Sequence, residues 1–142
     1  MMKIDGACLC GAYAYEAQID PAKVIICHCT DCQVNGAAPY RVGVFVAKEN
    51  YRELRGSLKA FVKTAESGGR RALHFCPECG TSIYGAEPEN PTHYSLRIGT
   101  ARQRAELAPT KQIWRRSALP WLGSVDGLSA HETQPGKLRP KG

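Results

Sequence analysis

The seven cysteines of this 142-residue chain fall in groups of two, three and two: Cys8/Cys10, Cys27/Cys29/Cys32 and Cys76/Cys79. Closed tetrahedral metal sites consume thiols in fours, and sites that keep one coordination position open consume three. Seven is the count expected of one closed and one open site. An odd number also argues against a complete disulfide framework, and clustered thiols in a reducing compartment read as metal-binding or catalytic. A chain of this length is expected to form one domain with its own core, here residues 1–130, followed by a flexible tail at 131–142.

Charge and hydropathy narrow the partners. The formal net charge is +6, but seven metal-bound thiolates and two divalent ions bring it to about +3. The remaining basic residues are scattered in short clusters, Arg70-Arg71, Arg115-Arg116 and the tail from Lys137 to Lys141. There is no long basic arm and no aromatic–basic RNA motif, so nucleic acid is not an expected partner. No apolar run approaches the roughly 18 residues of a membrane span. Met1–Gly6 lacks the apolar segment of a secretory signal, which places the expected location in the cytoplasm.

Periodicity predicts a mainly β fold of short strands with glycine turns. Tyr13, Tyr15 and Ala17 alternate with smaller or polar residues across 12–19. Lys23–Ile26 is a short apolar strand that delivers Cys27. Further strands are expected at 42–46, 51–54, 58–63, 71–75, 82–84, 93–98 and 112–116. One helical turn is expected at 33–36, closed by Gly36, and a short helix at 101–107. Glu66-Ser67-Gly68-Gly69 reads as a flexible turn.

Cys10 is followed by Gly11 and Cys79 by Gly80, and a glycine after a ligand lets the chain turn tightly so that N–H groups approach the sulfur. Cys8-Leu9-Cys10-Gly11 and Cys76-Pro77-Glu78-Cys79-Gly80 therefore look like matched halves of a closed four-thiol site. The spacing also permits either pair to borrow two thiols from the central triplet. A redox Cys-x-x-Cys pair is disfavoured, because such motifs sit in α/β contexts. If the outer pairs combine, Cys27, Cys29 and Cys32 can turn three sulfurs towards one ion with a fourth position open, the form of a catalytic site. Three thiolates on a divalent ion leave about −1, a poor generator of hydroxide but a good holder of a deprotonated substrate thiol. The competing reading is a second closed site completed by His28, His74, His93 or His131. His28 is expected to point away from the sulfurs, and Asp31 to cap the turn after Cys29. Tyr13, Tyr15, Tyr40, Phe45, Trp114 and Trp121 are core candidates, those near the triplet being cleft candidates.

Gly6-Ala7-Cys8-Leu9-Cys10-Gly11, then Cys27-His28-Cys29-Thr30-Asp31-Cys32 with Gly36, then Phe75-Cys76-Pro77-Glu78-Cys79-Gly80-Thr81 resemble the glutathione-dependent formaldehyde-activating enzyme family, which includes the centromere protein V domain. Trp114–Trp121 and Asp126-Gly127-Leu128 are similar to the family's ending. The resemblance implies a mainly β, Mss4-like (β-tent) fold with two Zn²⁺ per chain. Cys8, Cys10, Cys76 and Cys79 match its structural site, and Cys27, Cys29 and Cys32 its catalytic site. The second ion, held by three ligands, is expected to be the more easily lost. The implied activity is that of a carbon–sulfur lyase joining formaldehyde to glutathione as S-(hydroxymethyl)glutathione. Partners implied are a small thiol, glutathione-like, and an aldehyde. Arg41, Arg70, Arg71, Arg97, Arg115 and Arg116 are unranked candidates to meet the thiol's carboxylates. The alternative is a non-catalytic zinc module that binds a thiol, protein or nucleic acid. A redox or metal-sensing switch at the triplet has the least support.

Overall fold

Ala14–Ile19 (β2) places Tyr15, Ala17 and Ile19 on one face, where all three are buried. In the computed structural model, which describes residues 1–136, this strand is the middle of a small antiparallel sheet. Its neighbours are Met2–Ala7 (β1) and Tyr51–Arg55 (β5). The second sheet has seven strands: Ile25–Cys27 (β3), Arg41–Ala47 (β4), Lys59–Thr64 (β6), Arg70–Phe75 (β7), Ser82–Ala86 (β8), His93–Arg97 (β9) and Lys111–Ile113 (β10). Its order is β10-β3-β4-β9-β8-β7-β6, antiparallel except for the β10–β3 pair. The protein is therefore mainly β, as the periodicity predicts, and the only α-helix among the described residues is Thr30–Gly36 (α1).

The core lies between the sheets. Ile4, Tyr13, Tyr15 and Ile19 meet Val44, Val46, Ile83 and Leu96 in one cluster, all of them essentially inaccessible. Tyr15 stacks on Tyr51 at 5.3 Å between ring centroids, and Tyr84 on Tyr94 at 4.4 Å. Such pairs contribute beyond their buried area. Because strand side chains alternate, burying Val44, Val46 and Leu96 against the core turns Arg41, Gly43, Phe45, Ser95 and Arg97 to the other face of the large sheet. That outer face carries the site.

Local differences from the sequence reading have physical causes. β1 was not expected: of its six residues only Ile4 is buried, too few to show a period. The helix expected at 101–107 is a 3-10 turn at Arg104–Glu106. The last strand stops at Ile113, since Trp114 takes a left-handed conformation (φ 57°, ψ 39°) that ends the pairing. α1 starts three residues earlier than the predicted turn, and the left-handed residue that closes it is Ala37 (φ 48°) rather than Gly36. Of the tail expected at 131–142, residues 137–142 lie outside the described part. No helix among the described residues is long and apolar enough to cross a membrane.

Candidate metal centre

Two hairpin-like loops bring the outer cysteines together. In the first, Gly11 N donates to Cys8 O at 3.0 Å and Cys8 N to Tyr13 O at 3.0 Å. In the second, Gly80 N donates to Cys76 O at 2.8 Å and Cys76 N to Thr81 O at 2.9 Å. Gly11 and Gly80 both take positive φ (80° and 78°), the conformation expected of a glycine that follows a ligand. Leu9 N donates to Thr81 Oγ1 at 3.1 Å and ties the loops to each other. The sulfurs of Cys8, Cys10, Cys76 and Cys79 all lie within 4.8 Å of one another.

The sulfur spacings decide what this group can be. Cys8 Sγ and Cys10 Sγ are 3.6 Å apart, Cys10 Sγ and Cys76 Sγ 3.8 Å. A disulfide needs about 2.05 Å, and all seven cysteines are free thiols. A tetrahedron of sulfurs around a metal at about 2.3 Å has edges of about 3.8 Å. The two spacings near 3.8 Å match such an edge, and the four thiols converge as a tetrahedral ion requires. Tyr13 N points at Cys8 Sγ (3.3 Å) and the Thr81 hydroxyl lies 3.1 Å from Cys79 Sγ, partners that stabilise thiolates. The Thr81 contacts hold the Cys79 thiol down to about 5.

The second group is built from a strand end and a helix start. Cys27 is the last residue of β3 and is buried; Cys29 is the N-cap of α1, its sulfur accepting from Cys32 N at 3.3 Å. Cys32 lies in the first turn of α1. The three sulfurs lie within 4.8 Å of one another, and no histidine or carboxylate among the described residues joins either group. His28 is buried with Nε2 2.8 Å from Gln112 Oε1, in keeping with a side chain turned from the sulfurs. His74 packs on Tyr84 and His93 bonds Thr92, so neither completes the triplet. Asp31 does not cap the helix, because Cys29 takes that place; its carboxylate pairs with Lys63 Nζ at 2.6 Å. Gln33 Nε2 donates to His28 O and Ser117 O, fixing the loop against the segment after β10. Within the triplet the hydrogen bond from Cys32 brings the Cys27 thiol down to about 5 against the opposing effect of burial, with Arg41 nearby adding to the shift. The same bond pushes Cys32 up.

A cavity of about 490 Å³ opens onto the triplet, within the roughly 300–1,000 Å³ range of small-molecule sites. Tyr40, Phe45 and Trp114 are among its apolar walls; Tyr13 and Tyr15 belong to the core, and Trp121 is surface-exposed away from it. Arg116 lies over the Trp114 ring at 4.9 Å. A tryptophan held in the left-handed region stores about 1–2 kcal/mol at the cavity wall. Of the six candidate arginines, Arg41, Arg71 and Arg97 line the cavity; Arg70 pairs with Glu89, and Arg115 and Arg116 are not in the wall. Lys63 and Ser95 also line it, and the sequence reading missed both. No local signal marks them, since strand pairing alone brings Lys63 opposite Arg71.

A family model described as glutathione-dependent formaldehyde-activating enzyme matches residues 3–117. A protein of Schizosaccharomyces pombe named as an uncharacterised lyase is 29% identical over 96 residues, which is 68% of this chain and 66% of that protein. The match thus spans slightly less than two thirds of that relative's own length. A crystal structure of a Rhodobacter sphaeroides protein superposes with a TM-score of 0.58 over 76% of this chain and 98% of that one, at 20% identity, a likeness of fold.

Proposed function

Since the chain belongs to the glutathione-dependent formaldehyde-activating enzyme family, we propose that it is a zinc-dependent carbon–sulfur lyase that joins a small thiol, such as glutathione, to an aldehyde such as formaldehyde. The observation that carries this reading is the triplet Cys27, Cys29 and Cys32: three mutually close thiols, with no fourth donor among the described residues, facing a cavity of substrate size. Cys8, Cys10, Cys76 and Cys79 hold a structural zinc, and the triplet holds a second. Soft thiol donors favour zinc over harder divalent ions. Zinc held by the triplet supplies a Lewis-acidic position that keeps a substrate thiol deprotonated near neutral pH.

The chain's own residues do the rest. The positive charge of Arg41, directly opposite Cys27 in the β3–β4 pairing, favours thiolates at the triplet. Phe45 and Trp114 present apolar surface in the cavity wall to the substrate's carbon chain. A thiolate sulfur held there adds its lone pair to the aldehyde carbon. One carbon–sulfur bond forms, the carbonyl π pair moves to oxygen, and that oxygen takes up the proton that the thiol released. The reverse steps give the lyase direction.

Thiols and aldehydes also combine unaided, so the test is a rate. Two-dimensional exchange NMR of glutathione with labelled formaldehyde measures how fast the adduct forms and breaks. Catalytic amounts of the protein are expected to raise that exchange rate in proportion to protein concentration, and the Cys29→Ser variant to leave it at the uncatalysed value. An exchange rate unchanged by the wild-type protein contradicts the proposal.

A further inference from the structure

The edge strand β6 inverts the usual order of burial. Ala60, Phe61 and Val62 are exposed, and the one half-buried residue of the strand is Lys63. Burial disfavours a charged side chain far more than an apolar one, so the lysine needs a specific partner. Strand pairing does not provide it: Lys63 stands opposite Arg71, and like charges directly opposite are destabilising. The partner is Asp31, whose carboxylate lies 2.6 Å from Lys63 Nζ. Among the described residues it is the only acid within ion-pair distance of Lys63.

Asp31 comes from the far end of the large sheet. It sits in the first turn of α1, which follows β3. Along β3-β4-β9-β8-β7-β6, five steps separate β3 from β6. In a flat sheet five steps at the ordinary strand spacing span about 24 Å. A direct ion pair between the two ends requires the sheet to curl and α1 to lean over its outer face. Both residues line the cavity, and the wall between them takes Cys27 from β3, Ser95 from β9 and Leu73 from β7. The bond thus joins one rim of the cavity to the other.

We propose that the Asp31–Lys63 pair is a crossbar over the cavity, and that it limits the bulk of the thiol that reaches Cys27, Cys29 and Cys32. The inference rests on the thiol reading given above and adds a size limit to it. A slender thiol passes beside the bar. A thiol with a ring next to its sulfur takes the space of the bar and binds only with the pair broken. Ion pairs open to solvent are weak, so the bar discriminates by a modest factor and does not seal the site.

Calorimetric titration of the zinc-loaded protein with 1-thioglycerol and 1-thio-β-D-glucose tests this, since both are neutral polyol thiols that differ in bulk beside the sulfur. The quantity read is the ratio of the two affinities, in wild type, Asp31→Ala, Lys63→Ala and the double variant. A general loss of stability or of zinc affinity moves both thiols together and leaves the ratio alone. Each single variant is expected to shift the ratio towards the sugar thiol by about two- to fivefold. The double variant is expected to shift it by less than the product of the single shifts, because the two residues act through one bond. If one single variant fails to fold, the other decides. The same ratio in wild type and variants overturns the crossbar and leaves the thiol site standing. Binding of neither thiol to the wild-type protein overturns the thiol reading, and the size limit with it.

Discussion

The two cysteine groups differ in what a single substitution should do. Cys8 is buried where three other sulfurs converge from residues as far away as Cys79, so a bound ion there closes a long loop and its binding energy is folding energy. Cys8→Ser should lower stability by several kcal/mol or prevent folding. Cys29 stands at the start of α1 and caps it with its sulfur. Serine is itself a good N-cap, so Cys29→Ser should keep the helix and the melting temperature within a few degrees while losing about one metal equivalent. Thermal melting with metal analysis of the two variants checks this; equal loss of stability would contradict it. The family's cysteine grouping made both sets legible in the sequence, including the glycines after Cys10 and Cys79. The roles of His28 and Asp31 were legible only in part. His28 turns from the sulfurs as its extended neighbours suggest, but Asp31 pairs with Lys63, a partner 32 residues away that no local pattern announces.

At the scale of elements, the site depends on how β4 and β9 pair. A Cβ on Gly43 would lie 2.9 Å from Leu96 O, a backbone atom of the neighbouring strand. Gly43→Ala should therefore push β4 from β9, costing about 1–3 kcal/mol and weakening thiol binding by displacing Arg97. Chemical denaturation reads the first effect and calorimetry the second. β1 is tied to the segment after β9 through Asp5, which accepts from Arg102 Nη2 at 2.8 Å and from Gln103 Nε2 at 2.6 Å. These bonds hold the Asp5 carboxyl down to about 2, from 3.8 in the unfolded chain. A depressed carboxyl stabilises the folded state above its unfolded value, and the contribution is lost as pH falls through the folded one. The pH window is thus about 4 to 2. Because the side chain is well exposed, the contribution is about 1 kcal/mol after screening. Asp5→Asn should be less stable than wild type at neutral pH, with that gap closing towards pH 2. A gap that stays constant across the window would refute the account. β2 was readable from its alternation and β4 from its β-branched apolar run. β1 was not, since its pairing with β2 buries only Ile4.

For the molecule as a whole, the chain uses one face of its large sheet for a core and the other for chemistry. The first use leaves a hydrophobic period in the sequence, and so the mainly β class could be read there. The second leaves none: Arg41, Lys63, Arg71 and Arg97 are separated by up to 56 residues and meet only through strand order. Six arginines were therefore equally plausible beforehand, and pairing selects three. The central claim is that the triplet offers an open position which a substrate thiol fills. Zinc-edge X-ray absorption of the reduced, two-zinc protein tests it directly. The mean number of sulfurs per zinc should be about 3.5 without added thiol and rise to about 4 with saturating glutathione. A value that does not change on adding glutathione would contradict it.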